Sequence, residues 1–304
     1  MLRRILEAYR RISALPDRMT RIQEALGRIE MRQVANSSDA SQAEFRVFSQ
    51  WGEDGIIQHL VNRVHIERQI FVEFGVENYV ESNTRFLLTN NKWSGLVIDG
   101  SAENINYIRH DPIYWASNLK ADASFITKEN INDLLVRNGI SGDIGLLSVD
   151  IDGNDYWVWE AINCISPRIV VCEYSSQFGS VAEVTTPYDP AFVRDSAHFS
   201  KVYYGASISA LTSLAASKGY SLVVSNSAGN NIFFVRNDLV GTLKVLTPQE
   251  AYRRAQFREF HNELGQLTFD DFETRLRKIG HLPLYDLTNK QLVKIADIFD
   301  TLVC

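Results

Sequence analysis

The chain lacks the cysteines for a disulfide or zinc framework: it has three, Cys164, Cys172 and Cys304, with no metal-ligand spacing among them. Cys164 and Cys172 fall in apolar segments and read as buried thiols, which suits a reducing cytoplasm. No window approaches the roughly 20 apolar residues that a helix needs to cross a bilayer. The N-terminal MLRRILEAYRRISALPDRM carries arginines but not the uninterrupted apolar core of a secretory leader, so the expectation is a soluble protein or one attached to a membrane surface. Positive charge is lacking too: the net charge of −6 argues against a general nucleic-acid binder. What remains is ordinary for a globular chain of 304 residues, 45% hydrophobic and 22% charged, enough for one large domain with appendages or two small ones.

Residues 1–33 form a unit of their own. Ile12, Leu15, Met19, Ile22, Leu26 and Ile29 recur in alternating steps of three and four, a heptad seam preceded by Ile5 and Tyr9, with Pro16 as a first-turn residue. Eight Arg stand against four acids here, leaving about −10 on the rest. The expectation is a short coiled coil that joins copies of the chain into a homo-oligomer. The alternatives are peripheral membrane contact through an amphipathic helix, or a helix folded back on the body. Residues 34–44 read as a flexible linker.

From residue 45, strands and helices alternate. Ile56, Ile57, Leu60, Val61 and Val64 make a helical apolar face after the turn at Gly52 to Gly55. Strands are expected at 70–74, 96–99, 118–121, 144–149 and 168–174. Helices are expected between them, starting near Ser82 or Thr84 as cap and then at 102–109, 127–138 and 156–162. After an aromatic insertion at 175–204 and a helix at 208–218, apolar runs at 221–225 and 232–236 flank an Asn/Gly/Ser loop, a hairpin signature. The fold class is therefore α/β, with five parallel strands closed by an antiparallel pair. A dinucleotide-binding sheet would continue with another crossover; a seven-stranded sheet ending in a hairpin is the layout of class I S-adenosylmethionine methyltransferases. That domain spans 45–240. Residues 241–304 read as a helical extension, capped at Thr247-Pro248-Gln249-Glu250, with further helices from Thr268 and Thr288.

Carboxylates punctuate the strand ends. Glu73 and Asp99 close the first two strands, where an open parallel sheet has its ligand crevice, and a carboxylate there can accept hydrogen bonds from both hydroxyls of a ribose. Gly75 allows positive φ and close backbone approach. The bland alternative is a crossover unit whose acids only form turns and caps. Four segments resemble FkbM-like methyltransferases: SQWGEDG at 49–55, FVEFGVENYVESNT at 71–84, LLSVDIDGNDYWVWEAI at 146–162 and RIVVCEY at 168–174. The resemblance covers about 45–240 and implies S-adenosylmethionine as methyl donor, with hydroxyl groups on saccharides or polyketide-like small molecules as acceptors. It implies that Glu73 and Gly75 belong to the first cofactor loop, that Asp99, followed by Ser101, holds the ribose, that Asp122 with Ala123 meets the adenine, and that Asp150 lies beside the methyl donor. The family's first loop has a second glycine where this chain has Tyr79 or Val80, and a side chain there would narrow the methionine end of the pocket.

Asp150-Ile151-Asp152-Gly153-Asn154-Asp155 crowds oxygen ligands at a strand end, where Asp150 and Asp152 could hold Mg²⁺ and acidify an acceptor hydroxyl. Asp152 or Glu173 could instead act directly as the base, as could His198 in the aromatic insertion. The structural alternative is that Asp152 and Asn154 cap the next helix. Two other functions compete: a glycosyltransferase using Asp-x-Asp for a metal and a diphosphate, and an inactive methyltransferase fold that serves assembly.

Overall fold

The computed structural model describes residues 4, 9, 12–255, 257 and 259–302; Ile5 and Cys304 lie outside them. A seven-stranded sheet organises the chain. Its strands are β1 (Ile70–Phe74), β2 (Ser94–Asp99), β3 (Leu119–Ala123), β4 (Gly142–Val149), β5 (Ile165–Glu173), β7 (Tyr220–Ser225) and β8 (Asn231–Arg236), in the order β3-β2-β1-β4-β5-β8-β7. β1 to β5 run parallel, and β8 pairs antiparallel with both β5 and β7. This is the expected class I methyltransferase fold.

Alternation along each strand divides the buried side chains between two cores. Val72, Leu96, Ile98, Leu147, Val170, Cys172 and Phe234 face one layer of helices; Phe71, Val97, Leu146, Ile169, Val171 and Phe233 face the other. Chain order reverses between β1 and β4, so the loops after these strands splay apart and leave a crevice. The SQWGEDG segment stitches this scaffold together. Buried Asp54 accepts the amide N–H groups of Val47, Phe48 and Ser49 at 2.7–2.8 Å. Glu53 accepts from the amides of Asn226 and Asn231 in the terminal hairpin, at 2.7 and 2.9 Å.

The helix Leu15–Val34 carries the heptad seam, with Pro16 in its first turn. Its inner face docks through Gly27, Met31 and Val34 against Val47, Phe48 and Phe86. The seam points away: Ile12, Leu15, Met19, Ile22, Leu26 and Ile29 are all 50–64% exposed. The linker expected at 34–44 is packed, with a 3₁₀ turn at Ala40–Gln42 and Ala40 and Ala43 buried.

The C-terminal extension differs most from expectation. Thr247-Pro248-Gln249-Glu250 does form a capping box, and Phe272–Ile279 is helical with Asp271 as its cap. The helix expected from Thr288 is a hairpin, β9 (Pro283–Asp286) and β10 (Gln291–Lys294). Asp286 accepts the amides of Thr288 and Asn289, so those residues close a turn instead of opening a helix. β9 also pairs with β6 (Val184–Thr185) from the insertion. Insertion and tail together bury a third core that includes Phe178, Val202, Phe260, Leu276, Leu284 and Ile295. Two aromatic residues of the insertion, Phe178 and Tyr203, are thus core residues.

Candidate active site

β1 and β4 pair in register from Phe71↔Leu146 to Glu73↔Ser148, which brings the residues two positions further along, Gly75 and Asp150, side by side at the reversal point. Gly75 has φ +68°, and a Cβ there would stand 1.7 Å from the Asp150 carbonyl oxygen. The loop can run this close to β4 only because Gly75 has no side chain. Two cavities meet at this crossing and share Gly75, Glu77, Asp150 and Asp152 in their walls.

The first cavity, about 180 Å³, is lined by Asp99 and by apolar Ile98, Phe125, Ile126 and Ile151. The Asp99 carboxylate is oriented by the amides of Glu77 and Ser101, both at 2.8 Å, and by the Asn104 side chain at 3.2 Å. The Ser101 hydroxyl caps the helix Ala102–His110 and does not line the cavity. Asp122 and Ala123 also stand outside its wall. The Asp122 carboxylate is taken by Arg137 at 2.7 Å, Asn138 at 2.6 Å and Ser124 at 2.7 Å. Ser124 and Phe125 line the cavity where Asp122 was expected.

The second cavity, about 290 Å³, is strongly acidic: Glu73, Glu77, Glu81, Asp150, Asp152 and Glu173 line it, with Arg194 the one basic residue among the described residues. Glu73 is buried and accepts from the amides of Asn83 and Thr84 and from the Thr84 hydroxyl. Burial pushes its carboxyl up to about 7. Because Thr84 is committed to Glu73, Ser82 accepts the first amide of the helix Arg85–Thr89.

Asp150, Asp152 and Glu173 offer carboxylate oxygens that all lie within 4.8 Å of one another. Burial first raises the carboxyls of Asp150 and Glu173 well above the usual range, followed by the charges of Asp152 and Asp155 for Asp150 and of Asp150 and Asp152 for Glu173. The structure thus joins the Asp-x-Asp motif of β4 to the acid at the end of β5. Asp152 does not cap the following helix. Asp155 closes that turn by accepting the Ile151 and Gly153 amides, while Asn154 donates to the Asp189 carbonyl. Asp152 takes φ +55° and turns toward Arg194.

Arg194 is the residue that sequence reasoning missed. It lies in the insertion, bonds Asp152 at 2.6 Å and Glu259 at 2.7 Å, and stacks over Tyr204 at 3.7 Å. Its partners are distant in sequence, so no local signal could mark it. His198 lines neither cavity. Its Nδ1 is 2.7 Å from the Ser200 hydroxyl, and its ring packs beside Phe199 and His281.

Tyr79 adopts φ +62°, the backbone conformation a glycine would take, but its side chain is fully buried beneath the loop and lines neither cavity. Its hydroxyl lies 3.0 Å from that of Thr84. The narrowing expected at this position therefore does not occur. Tyr79→Gly would relieve about 1–2 kcal/mol of left-handed strain but forfeit about 3–5 kcal/mol of buried aromatic packing. A lower denaturation midpoint with no gain in ligand affinity is the expected result; a stabilised variant would contradict it.

No family model and no curated protein matches the chain. Among solved structures it is similar to the N-terminal domain of EvdMO1 with S-adenosylhomocysteine (SAH) bound, at 11% identity over 55% of this chain and 73% of that one, TM-score 0.36. It is also similar to an S-adenosylmethionine-dependent methyltransferase from Clostridium acetobutylicum (11% identity, 60% and 90% covered, TM-score 0.38). A third is an O-methyltransferase family protein from Burkholderia thailandensis (10% identity, 74% and 59% covered, TM-score 0.36).

Proposed function

We propose that this chain is an S-adenosylmethionine-dependent O-methyltransferase of the FkbM-like kind, acting on a hydroxyl of a saccharide, glycoconjugate or related small molecule. The observation that carries this reading is the pair of cavities meeting at Gly75, one built around Asp99 and the other around Asp150 and Glu173. The donor set fits the cofactor. Asp99 between apolar walls suits a ribose and an adenine, and the acidic second cavity suits the positive charge of a sulfonium and an ammonium group.

When bound, S-adenosylmethionine supplies an electrophilic methyl group and leaves as neutral SAH. The chain's own residues do the rest. Asp99 accepts from the ribose hydroxyls. The amide and acid groups of Gln50, Asn83, Asn231 and Glu173 present hydrogen-bond partners to a polyhydroxy acceptor. Asp150 or Glu173, with carboxyls raised by burial above the usual carboxylate range, is a stronger base toward the acceptor's proton than an exposed carboxylate. Alignment of acceptor oxygen and methyl group supplies most of the remaining rate. A sugar-nucleotide diphosphate fits this acidic wall poorly.

Calorimetry of the full chain with SAH tests the reading. Saturable binding of one SAH per chain is expected. Absence of SAH binding together with measurable affinity for a nucleotide sugar would move the assignment to the glycosyltransferase class, and absence of both to an assembly role.

The exposed heptad seam suits a second copy of this chain, because a stripe confined to alternating three- and four-residue steps matches the narrow seam of paired helices. Sedimentation should show an oligomer that Ile22→Asp with Leu26→Asp converts to a monomer. A wild-type monomer that binds anionic vesicles would replace self-association with membrane contact. Among the described residues no helix is long and apolar enough to cross a membrane.

A further inference from the structure

We infer that Asp150, Asp152 and Glu173 form a divalent-cation site. This deepens the proposed function, since the ion would sit where the acceptor hydroxyl must lie.

The geometry fits one shared ion. Oxygens around Mg²⁺ at about 2.1 Å stand about 3 Å apart when adjacent and about 4 Å apart when opposite. One oxygen from each of the three carboxylates lies within 4.8 Å of the other two, close enough for small side-chain rotations to bring them onto one ion. They come from two neighbouring strand ends, β4 and β5, so their backbone anchors are fixed by the sheet.

A second observation points independently to a missing partner. Among the described residues, Glu173 Oε2 and Asn231 Oδ1 have no hydrogen-bond partner although both residues are more than nine-tenths buried. Both line the acidic cavity, and they are paired across β5 and β8. The Asn231 orientation is not arbitrary, because its Nδ2 donates to Glu53 and leaves Oδ1 as the acceptor-only end. Buried oxygens without donors cost stability, and here all of them are of the kind that coordinates hard cations.

Charge balance argues the same way. Among the described residues, the three carboxylates share one local cation, Arg194, which is itself divided between Asp152 and Glu259. Arg194 cannot neutralise the cluster. A divalent ion would, and it would draw an acceptor hydroxyl, or two vicinal hydroxyls, to the same point. The ligand chemistry is thus Mg²⁺ or Mn²⁺ with a polyhydroxy acceptor completing the shell.

The test is Mn²⁺ titration of the full chain without SAH, read by water-proton relaxation, with Mg²⁺ as competitor. One saturable ion per chain is expected. Glu173→Gln and Asp152→Asn should each weaken it about tenfold or more, since affinity follows ligand charge, whereas Asp122→Asn should not. Asp152→Asn keeps the test sound, because asparagine tolerates the left-handed backbone at this exposed position. No saturable Mn²⁺ binding, or binding unchanged in both ligand variants, overturns the site. SAH binding without Mn²⁺ binding overturns the cation site alone. Mn²⁺ binding without SAH binding keeps the site and overturns the methyltransferase reading.

Discussion

Gly75→Ala is expected to lower stability by about 3 kcal/mol or more, from left-handed strain of about 1–2 kcal/mol plus a backbone collision. The methyl carbon would meet the Asp150 carbonyl oxygen at 1.7 Å, and neither partner can turn aside as a flexible side chain would. The Gly75 amide is also fixed, donating to the Ile98 carbonyl at 3.0 Å, so relief must come from separating the first loop from β4. For a chain of this size the melting temperature should fall on the order of 5–10 °C. SAH affinity should fall with it, because both cavities share this crossing. Calorimetric melting and SAH titration of the same preparation check the two effects together. An alanine variant with wild-type melting would show that the loop does not run as described.

Asp99→Ala should weaken SAH binding about 100-fold or more while leaving the sheet intact. A charged hydrogen bond is worth about 1.5–3 kcal/mol, and two ribose hydroxyls would be released. The substitution also unties the Glu77 and Ser101 amides and the Asn104 side chain, so the loops on both sides of the nucleoside lose their common anchor. Asp99→Asn, which keeps one acceptor oxygen, should lie between the variant and the wild type. Equal SAH affinity in Asp99→Ala and the wild type would remove Asp99 from the site and with it the nucleoside end of the proposed function.

The strands of the sheet were readable because buried parallel strands declare themselves as short apolar runs that end on acids or glycine. β1 lies at the expected residues, and the antiparallel pair β7 and β8 is where the Asn/Gly loop placed it. The extension was less readable. Thr288 and Asn289 serve a turn as well as a helix cap, and only the pairing of β9 with β6, about 100 residues earlier in the chain, decides between them. The site divides along the same line. Gly75, Asp99, Asp150 and Glu173 reach it because strand ends converge by topology. Asp122 also sits on a strand end, but the helix Ile131–Arg137 and its C-cap Asn138 supply an arginine and an amide that satisfy it elsewhere. Tyr79 shows how a motif position can change residue and keep its backbone geometry: the loop retains the glycine-like φ and the core absorbs the ring.

The third core has a consequence for how the site comes into being. One half is made of the insertion after β5 and the other of residues beyond 257, and Arg194 and Glu259 clasp across them. On the ribosome the seven-stranded sheet can close once Arg236 has emerged, yet the arginine facing Asp152 waits for a glutamate that leaves the ribosome later. The wall of the acidic cavity is therefore finished after the floor, and a nascent chain passes through a stage with a complete sheet and an unguarded cluster of carboxylates.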